Sequence, residues 1–246
     1  MNKKLQALFM FYSLLFMGMN INNANAIPES LEHNSNRLTT TEVIFNELQK
    51  SEISLPSVEA FSAAIKGFSN LKKGSEKITK NILSIVDFSL PSTKKRFWVI
   101  DLETKKVLFN DYVAHGRNSG NNIAKKFSNV PSSYSSSLGF YITAETYQGK
   151  HGLSMRLDGI DKGFNDNARA RAIVVHGADY VSHDFIKKHG RLGRSLGCPS
   201  LPMDVNKKVI DTINGGSVFF IYSKDANFLT RSEILNPTTA MPATKG

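Results

Sequence analysis

The chain has a single cysteine, Cys198, among 246 residues, and this scarcity excludes several kinds of protein. One cysteine cannot form a disulfide within the chain, so covalent cross-links do not hold the fold together. The sequence also contains neither C-x-x-C nor H-E-x-x-H, the spacings typical of many zinc sites. Cys198 lies in the run RSLGCP at 194–199, and an unpaired thiol between glycine and proline is a candidate nucleophile.

Acidic residues are few relative to basic ones. There are 21 Asp and Glu against 31 Lys and Arg, which gives a formal net charge of +10. A basic surface favours an anionic partner such as nucleic acid, lipid headgroups or an acidic cell-wall polymer, although ordinary solubility charge explains it equally well. Lysines and arginines are scattered, with no basic run interleaved with aromatics, so the pattern argues against nucleic acid.

The N-terminus has the features of a secretory signal peptide over residues 1–26. Lys3 and Lys4 precede an apolar stretch at 5–19, which is too short to span a bilayer comfortably, and Ala24-Asn25-Ala26 fits a cleavage site. We expect an exported protein of the periplasm or cell envelope with no stable membrane span after cleavage; an uncleaved anchor is the alternative. In an oxidising compartment a free thiol is a liability unless it is used or deeply buried.

The pattern predicts an α+β fold, mainly β, with a β-sandwich-like domain after a short helical segment. We assign residues 27–90 to a lead-in and helices at 41–48 and 57–72, residues 91–225 to the main domain, and 226–246 to a polar C-terminal tail. Strands are expected at 96–102 and 106–114, which pair as a hairpin, and at 139–143, 153–158, 171–176 and 217–222. A helix is expected at 203–214.

Two kinds of hydrolase fit the residues poorly. The run GRSLG at 193–197 matches the G-x-S-x-G elbow of serine hydrolases, but no buried strand precedes it and no histidine follows it. Zinc ligands are available near Cys198, yet their spacing matches no metal motif. These potential ligands are His176, His183, His189, Asp179 and Asp184. We therefore predict no metal and no organic cofactor.

Cysteine chemistry fits the residues best. A thiol attacks a carbonyl as thiolate, so it needs a base or positive charge nearby. His176 ends a predicted strand and can serve as that base, while Arg191 and Arg194 add positive potential. Backbone amides at Gly197 and Cys198 are candidates for an oxyanion hole. The structural alternative is a small buried cysteine beside a satisfied core histidine.

These residues resemble the H-G…S-x-G-C signature of the L,D-transpeptidase catalytic domain, and more of the chain is similar to the branch described as the murein L,D-transpeptidase family. The resemblance covers roughly residues 90–223. It departs from the broader pattern at Leu196, where most members carry histidine, and at Pro199-Ser200. The similar stretches are RFWVIDL at 96–102, VAHGRNSG at 113–120, SSSLGFY at 135–141, NDNAR at 165–169, IVVHGADYVS at 173–182 and GRSLGCP at 193–199.

The resemblance implies a cysteine-dependent acyltransferase that acts on peptidoglycan stem peptides. Cys198 would form a thioester with the third residue of a stem, with His176 as base, and an amine of a neighbouring stem would resolve it. If water is the acceptor, the enzyme is an L,D-carboxypeptidase or endopeptidase; a non-catalytic cell-wall-binding protein is the remaining alternative. The expected substrate-binding residues are Arg194, Arg169, His115 and Ser195.

Overall fold

The computed structural model of the protein describes residues 39–238. Within that range the chain forms five α-helices and eight β-strands. In chain order these are α1 (Thr40–Leu48), α2 (Val58–Gly74), β1 (Ile82–Asp87), β2 (Phe97–Asp101), β3 (Lys106–Asp111), β4 (Gly139–Gly149), β5 (Gly152–Gly159), β6 (Val174–Gly177), α3 (His183–His189), β7 (Ser200–Leu201), α4 (Met203–Ile213), β8 (Val218–Tyr222) and α5 (Ala226–Arg231).

The eight strands are joined by hydrogen bonds in one mixed sheet with the order β3-β2-β1-β8-β4-β5-β6-β7. β1 runs parallel to β8 and β6 parallel to β7, and the other neighbours are antiparallel. The predicted α+β class with a mainly β core after short helices is confirmed. The expected hairpin is also present as β2 and β3, because alternating apolar residues follow the turn at 102–105.

The second N-terminal helix, α2, packs on the sheet, and α1 packs on α2. Apolar residues recur at three- and four-residue steps along α2, so Phe61, Ala64 and Ile65 fall on one face and are buried. Gly67 permits a close approach to the sheet, since a Cβ there would lie 2.0 Å from Cζ of Phe140. The sequence analysis assigned no role to these helices; in the structure α2 packs against β1 and β8.

The boundary predicted at residue 91 falls inside the folded unit. β1 lies upstream of it, yet β1 pairs with both β2 and β8 in the middle of the sheet. The sequence pattern does not reveal this strand, because both of its faces are buried and its residues do not alternate between apolar and polar. The main domain therefore begins before the predicted boundary.

The C-terminal segment after residue 225 is also part of the folded chain. Asp225 caps α5 by accepting a hydrogen bond from the Phe228 amide at 2.8 Å, and the Phe228 side chain is fully buried. Leu235 is buried in the core as well, and a mostly polar composition concealed both anchors. The tail predicted over 226–246 is thus a packed helix at its start, and residues 239–246 lie outside the described range.

The end of the sheet that carries the thiol region is built from β5, β6 and β7. His176 of β6 lies opposite Ser154 of β5 on one side and Ser200 of β7 on the other. α4 packs on β5 and β6, and its Asn206 side chain donates to the Leu153 carbonyl at 2.9 Å. The strand β6, which carries His176, is therefore held on three sides.

The predicted signal peptide at 1–26 and the lead-in up to residue 38 lie outside the described residues. Between residues 39 and 238, the structure contains no helix with the length and apolar character needed to span a membrane.

Candidate active site

A cavity of about 610 Å³ opens where β6, the loop before β7 and the β4–β5 hairpin meet. His176 and Cys198, the predicted base and nucleophile, both line it. The hairpin contributes Lys150 and His151 from its turn, although the sequence analysis had ended β4 at residue 143. The other lining residues are Tyr147, Gly149, Ser154, Arg171, Ala172, Ile173, Val174, Tyr180, Arg194, Ser195 and Leu196.

The His176 ring is buried and held by hydrogen bonds through both nitrogens. Nδ1 lies 2.9 Å from the Gly177 carbonyl oxygen and Nε2 lies 2.9 Å from Ser200 Oγ. The exposed His151 stacks its ring on His176, with centroids 4.5 Å apart. Burial lowers the pKa of His176, so the ring is neutral at neutral pH and is able to accept a proton.

The Cys198 side chain is half-buried, and its Sγ donates to the Ala172 carbonyl oxygen at 3.7 Å. Within residues 39–238 no hydrogen bond joins it to His176. Burial raises the pKa of the Cys198 thiol, while the positive charges of Arg171 and Lys150 act in the opposite direction. Of the two arginines predicted to supply positive potential, Arg194 lines the cavity and Arg191 does not. At rest the structure therefore favours a neutral thiol beside a neutral imidazole.

The loop that carries the thiol is held by Ser195. Its Oγ donates to the Cys198 carbonyl oxygen at 2.6 Å and accepts from the Gly197 amide at 3.0 Å. Gly197 has a φ of +125°, and a Cβ there would lie 2.9 Å from the Ser135 carbonyl oxygen. Ser195 lines the cavity as predicted, but its hydroxyl is used to shape the loop, which also argues against a serine nucleophile.

The predicted pair of oxyanion-hole donors needs one correction. The Gly197 amide is already bonded to Ser195 Oγ, so it is not free to meet a developing negative charge. The Cys198 amide makes no hydrogen bond inside the described part of the chain. Of the two candidates, Cys198 keeps an available donor.

The cavity is cationic. Lys150, Arg171 and Arg194 line it, and no aspartate or glutamate does so among the described residues. Arg194 lies where predicted, although its Nη1 also donates to the carbonyls of Arg117 and Gly120 at 3.3 and 3.0 Å. Arg171, which the sequence analysis missed, donates from Nη2 to the Ser135 carbonyl at 2.8 Å. The cavity therefore suits an anionic ligand.

Two predicted substrate-binding residues lie elsewhere. The Arg169 guanidinium is paired with Glu145 at 2.8 Å and with Asp158, and it does not line the cavity. His115 is fully buried, with Nδ1 2.8 Å from Arg96 Nη2. Arginine can only donate, so Nδ1 accepts, and burial together with the Arg96 charge lowers the pKa of His115 to about 4. Both predictions are corrected to structural roles.

Five residues that line or support the site were not identified from the sequence: Arg171, Lys150, His151, Tyr180 and Ser200. Arg171 and Arg169 are two residues apart, and nothing in their local sequence shows which one faces the thiol.

As for metals, no group of three or more His, Cys, Asp or Glu side chains in residues 39–238 is arranged to hold an ion. The histidines once considered as zinc ligands, His183 and His189, lie on α3.

The lowered pKa of His176 and the raised pKa of Cys198 predict how the thiol reacts with an alkylating agent. Because the pKa of the Cys198 thiol is raised, the rate of alkylation by iodoacetamide should still climb between about pH 8 and 9. A rate that levels off below about pH 7 would instead indicate a resting thiolate–imidazolium pair and contradict the neutral pair. Cys198 is the only cysteine, so intact-mass spectrometry measures its modification directly.

Comparison with known proteins identifies a family model that matches the chain. The family model of the L,D-transpeptidase catalytic domain matches residues 52–222, so it starts well before the predicted domain boundary. None of the curated proteins compared with the sequence matches it.

Solved L,D-transpeptidases are similar to the chain only weakly. One from Mycobacterium smegmatis is 15% identical with a TM-score of 0.37, covering 58% of this chain and 59% of that one. One from Stackebrandtia nassauensis is 15% identical with a TM-score of 0.36, covering 65% and 66%. The family model, in contrast, matches most of the described residues. The chain therefore belongs to the L,D-transpeptidase catalytic domain family.

Proposed function

We propose that the protein is an exported L,D-transpeptidase that acts on peptidoglycan stem peptides through a thioester at Cys198. The observation that carries the proposal is that one cationic cavity is lined by both the thiol of Cys198 and the imidazole of His176, in a chain of this family. Export and an envelope location rest on the signal features of residues 1–26. The positive charge of the chain suits an acidic cell-wall polymer.

The chemistry begins with proton transfer from the thiol to His176. The Gly177 carbonyl can only accept, so Nδ1 carries the ring proton and Nε2 offers the lone pair. Cys198 leaves the Ala172 carbonyl, its proton passes to Nε2, and Sγ bonds to the carbonyl carbon of the third stem residue. The Cys198 amide stabilises the oxygen as it becomes negative.

Collapse of this intermediate breaks the peptide bond to the terminal D-alanine. The leaving amine takes the proton from Nε2, and a thioester remains on Cys198. An amine of a second stem then attacks the thioester, His176 removes the proton of that amine, and the thiol is regenerated as a cross-link forms. If water attacks instead, a free tripeptide is produced.

To test the proposal, the purified protein is incubated with disaccharide tetrapeptides, and the products are identified by mass spectrometry. Release of D-alanine with formation of a cross-linked dimer is the expected result. Release of D-alanine with free tripeptide as the only other product would make the enzyme an L,D-carboxypeptidase. A folded protein that releases no D-alanine would refute the enzymatic proposal and favour a non-catalytic cell-wall-binding protein.

We also expect the cavity cations to bind the carboxylates of the stem peptide. Lys150 is exposed at the hairpin turn and lines the cavity, so Lys150→Gln should raise KM about threefold to tenfold with a smaller effect on kcat. Lys162→Gln is the matched control, because Lys162 is exposed but lies outside the cavity. Equal KM values for the two variants would show that Lys150 does not contact the substrate.

A further inference from the structure

The hydrogen bonds around His176 have a defined direction. Nδ1 donates to the Gly177 carbonyl, so Nε2 of the neutral ring is an acceptor. Ser200 Oγ, 2.9 Å away, must therefore be the donor to Nε2. The Ser200 hydroxyl is therefore bonded to Nε2, the atom that receives the proton of the Cys198 thiol in the proposed reaction.

The chain of hydrogen bonds continues beyond Ser200. Tyr180 Oη lies 3.1 Å from Ser200 Oγ. Since the Ser200 proton is directed to Nε2, the Ser200 oxygen is free to accept, and Tyr180 donates to it. Burial raises the pKa of Tyr180, so its hydroxyl keeps its proton across the physiological range.

Both residues are held by the backbone around them. Ser200 is fully buried and lies opposite His176 in the sheet. Its backbone carbonyl accepts a hydrogen bond from the Ala114 amide at 2.9 Å. The Tyr180 carbonyl accepts the Gly193 amide at 2.8 Å. Tyr180 also packs so closely on Gly193 that a Cβ there would lie 2.3 Å from Tyr180 Cβ. The glycine thus leaves room for the tyrosine next to the serine.

We infer that Ser200 and Tyr180 are positioning residues for His176, which hold its unprotonated Nε2 in a fixed place in the cavity wall. The inference rests on the proposed function in taking His176 as the base. Tyr180 follows the H-G pair on a loop whose role the sequence did not reveal.

The pair serves both protonation states of the ring. As the thiol proton arrives, the hydroxyl proton of Ser200 turns from Nε2 towards Tyr180 Oη, which frees the lone pair of Nε2, and the new Nε2–H is shared between Ser200 Oγ and the leaving amine. Each hydroxyl can donate or accept, so the contacts of Ser200 with Nε2 and with Tyr180 are kept while the Tyr180 proton gives up Ser200 as its acceptor. The ring therefore does not have to move when the proton arrives or leaves.

The first test uses the full chain labelled with ¹⁵N, and it needs no substrate. Long-range ¹H–¹⁵N spectra report each ring nitrogen, and His176→Gln identifies the signals of His176. In Ser200→Ala the Nε2 resonance should move downfield to the position of an unbonded lone pair, while Nδ1 keeps its proton. Ser84→Ala is the matched control, because Ser84 of β1 is equally buried and its hydroxyl has no partner among the described residues. An unchanged Nε2 resonance in Ser200→Ala would overturn the inference.

The second test measures D-alanine release. We expect kcat of Ser200→Ala to fall about 10- to 100-fold with KM changed less than about twofold, and Ser200→Thr to recover most of the loss. Tyr180→Phe should lower kcat less, and the double variant Ser200→Ala/Tyr180→Phe should match Ser200→Ala within about twofold. Additive losses would show that Tyr180 does not act through Ser200. If the wild type releases no D-alanine, the spectra still decide the inference while the proposed function fails.

Discussion

Replacing Cys198 with alanine is expected to reduce D-alanine release by at least about 10³-fold. The chain has no other thiol, and Ser195 cannot take over because its hydroxyl is bonded to the Cys198 carbonyl at 2.6 Å. Rates from mass spectrometry of released D-alanine, compared between the wild type and the variant, measure the effect. A second readout is covalent labelling by a carbapenem, which should add to the wild type and not to the variant.

Two controls separate loss of chemistry from loss of structure. The thiol is half-buried and its one hydrogen bond is long, so thermal unfolding of Cys198→Ala should stay close to that of the wild type. His176→Gln should cause a similar loss of rate, and the double variant should be little worse than either single one, because the two groups act as a unit. Wild-type activity in Cys198→Ala would place the reaction somewhere other than this cavity.

The largest expected effect on stability comes from Arg96, whose guanidinium is fully buried beside Val113 and His115. Its Nε and Nη2 donate to the Val113 carbonyl at 3.1 and 2.9 Å, and Nη1 donates to the Leu90 carbonyl at 2.8 Å. Nη2 also contacts His115, and the guanidinium carbon lies 4.8 Å from the centre of the Phe88 ring. Burial lowers the pKa of Arg96 to about 9.

Arg96→Met should lower the free energy of unfolding by about 3–5 kcal/mol, because it leaves two carbonyls and a ring nitrogen buried without donors. Equilibrium urea unfolding gives the value. Arg169→Met is the matched control: it removes an exposed arginine whose ion pairs are in contact with solvent, and we expect a much smaller loss. Equal losses in the two variants would mean that the buried hydrogen bonds do not stabilise the fold.

Arg96 also connects stability to the site. The carbonyl of His115 accepts the Ser195 amide at 3.0 Å, and Gly116 forms a bridge with Ser195. The segment that Arg96 holds therefore carries the loop ending at Cys198. The His115 ring itself is buried and does not line the cavity.

Several elements followed directly from the sequence. The spacing of apolar residues determined α2, and alternating residues about a short turn determined the β2–β3 hairpin, because local periodicity decides which face can be buried. Cys198 and His176 could also be singled out from the sequence, since a single thiol beside glycine and a histidine near a strand end are local features. Both line one cavity, and their catalytic roles stay a prediction. The extent of β1 and of the β4–β5 hairpin did not follow from the sequence, because their pairing depends on distant strands.

The sequence by itself determined the fold class, the lone thiol and its histidine. Only the tertiary structure decided which neighbours serve them. It placed Arg171 and Lys150 near the thiol, moved Arg169 to a surface ion pair, buried His115 under Arg96, and brought Tyr180 and Ser200 into a chain with Nε2 of His176. The physical reason is that charges and hydrogen bonds act over a few ångströms in space, between residues that strand pairing and loop packing bring together.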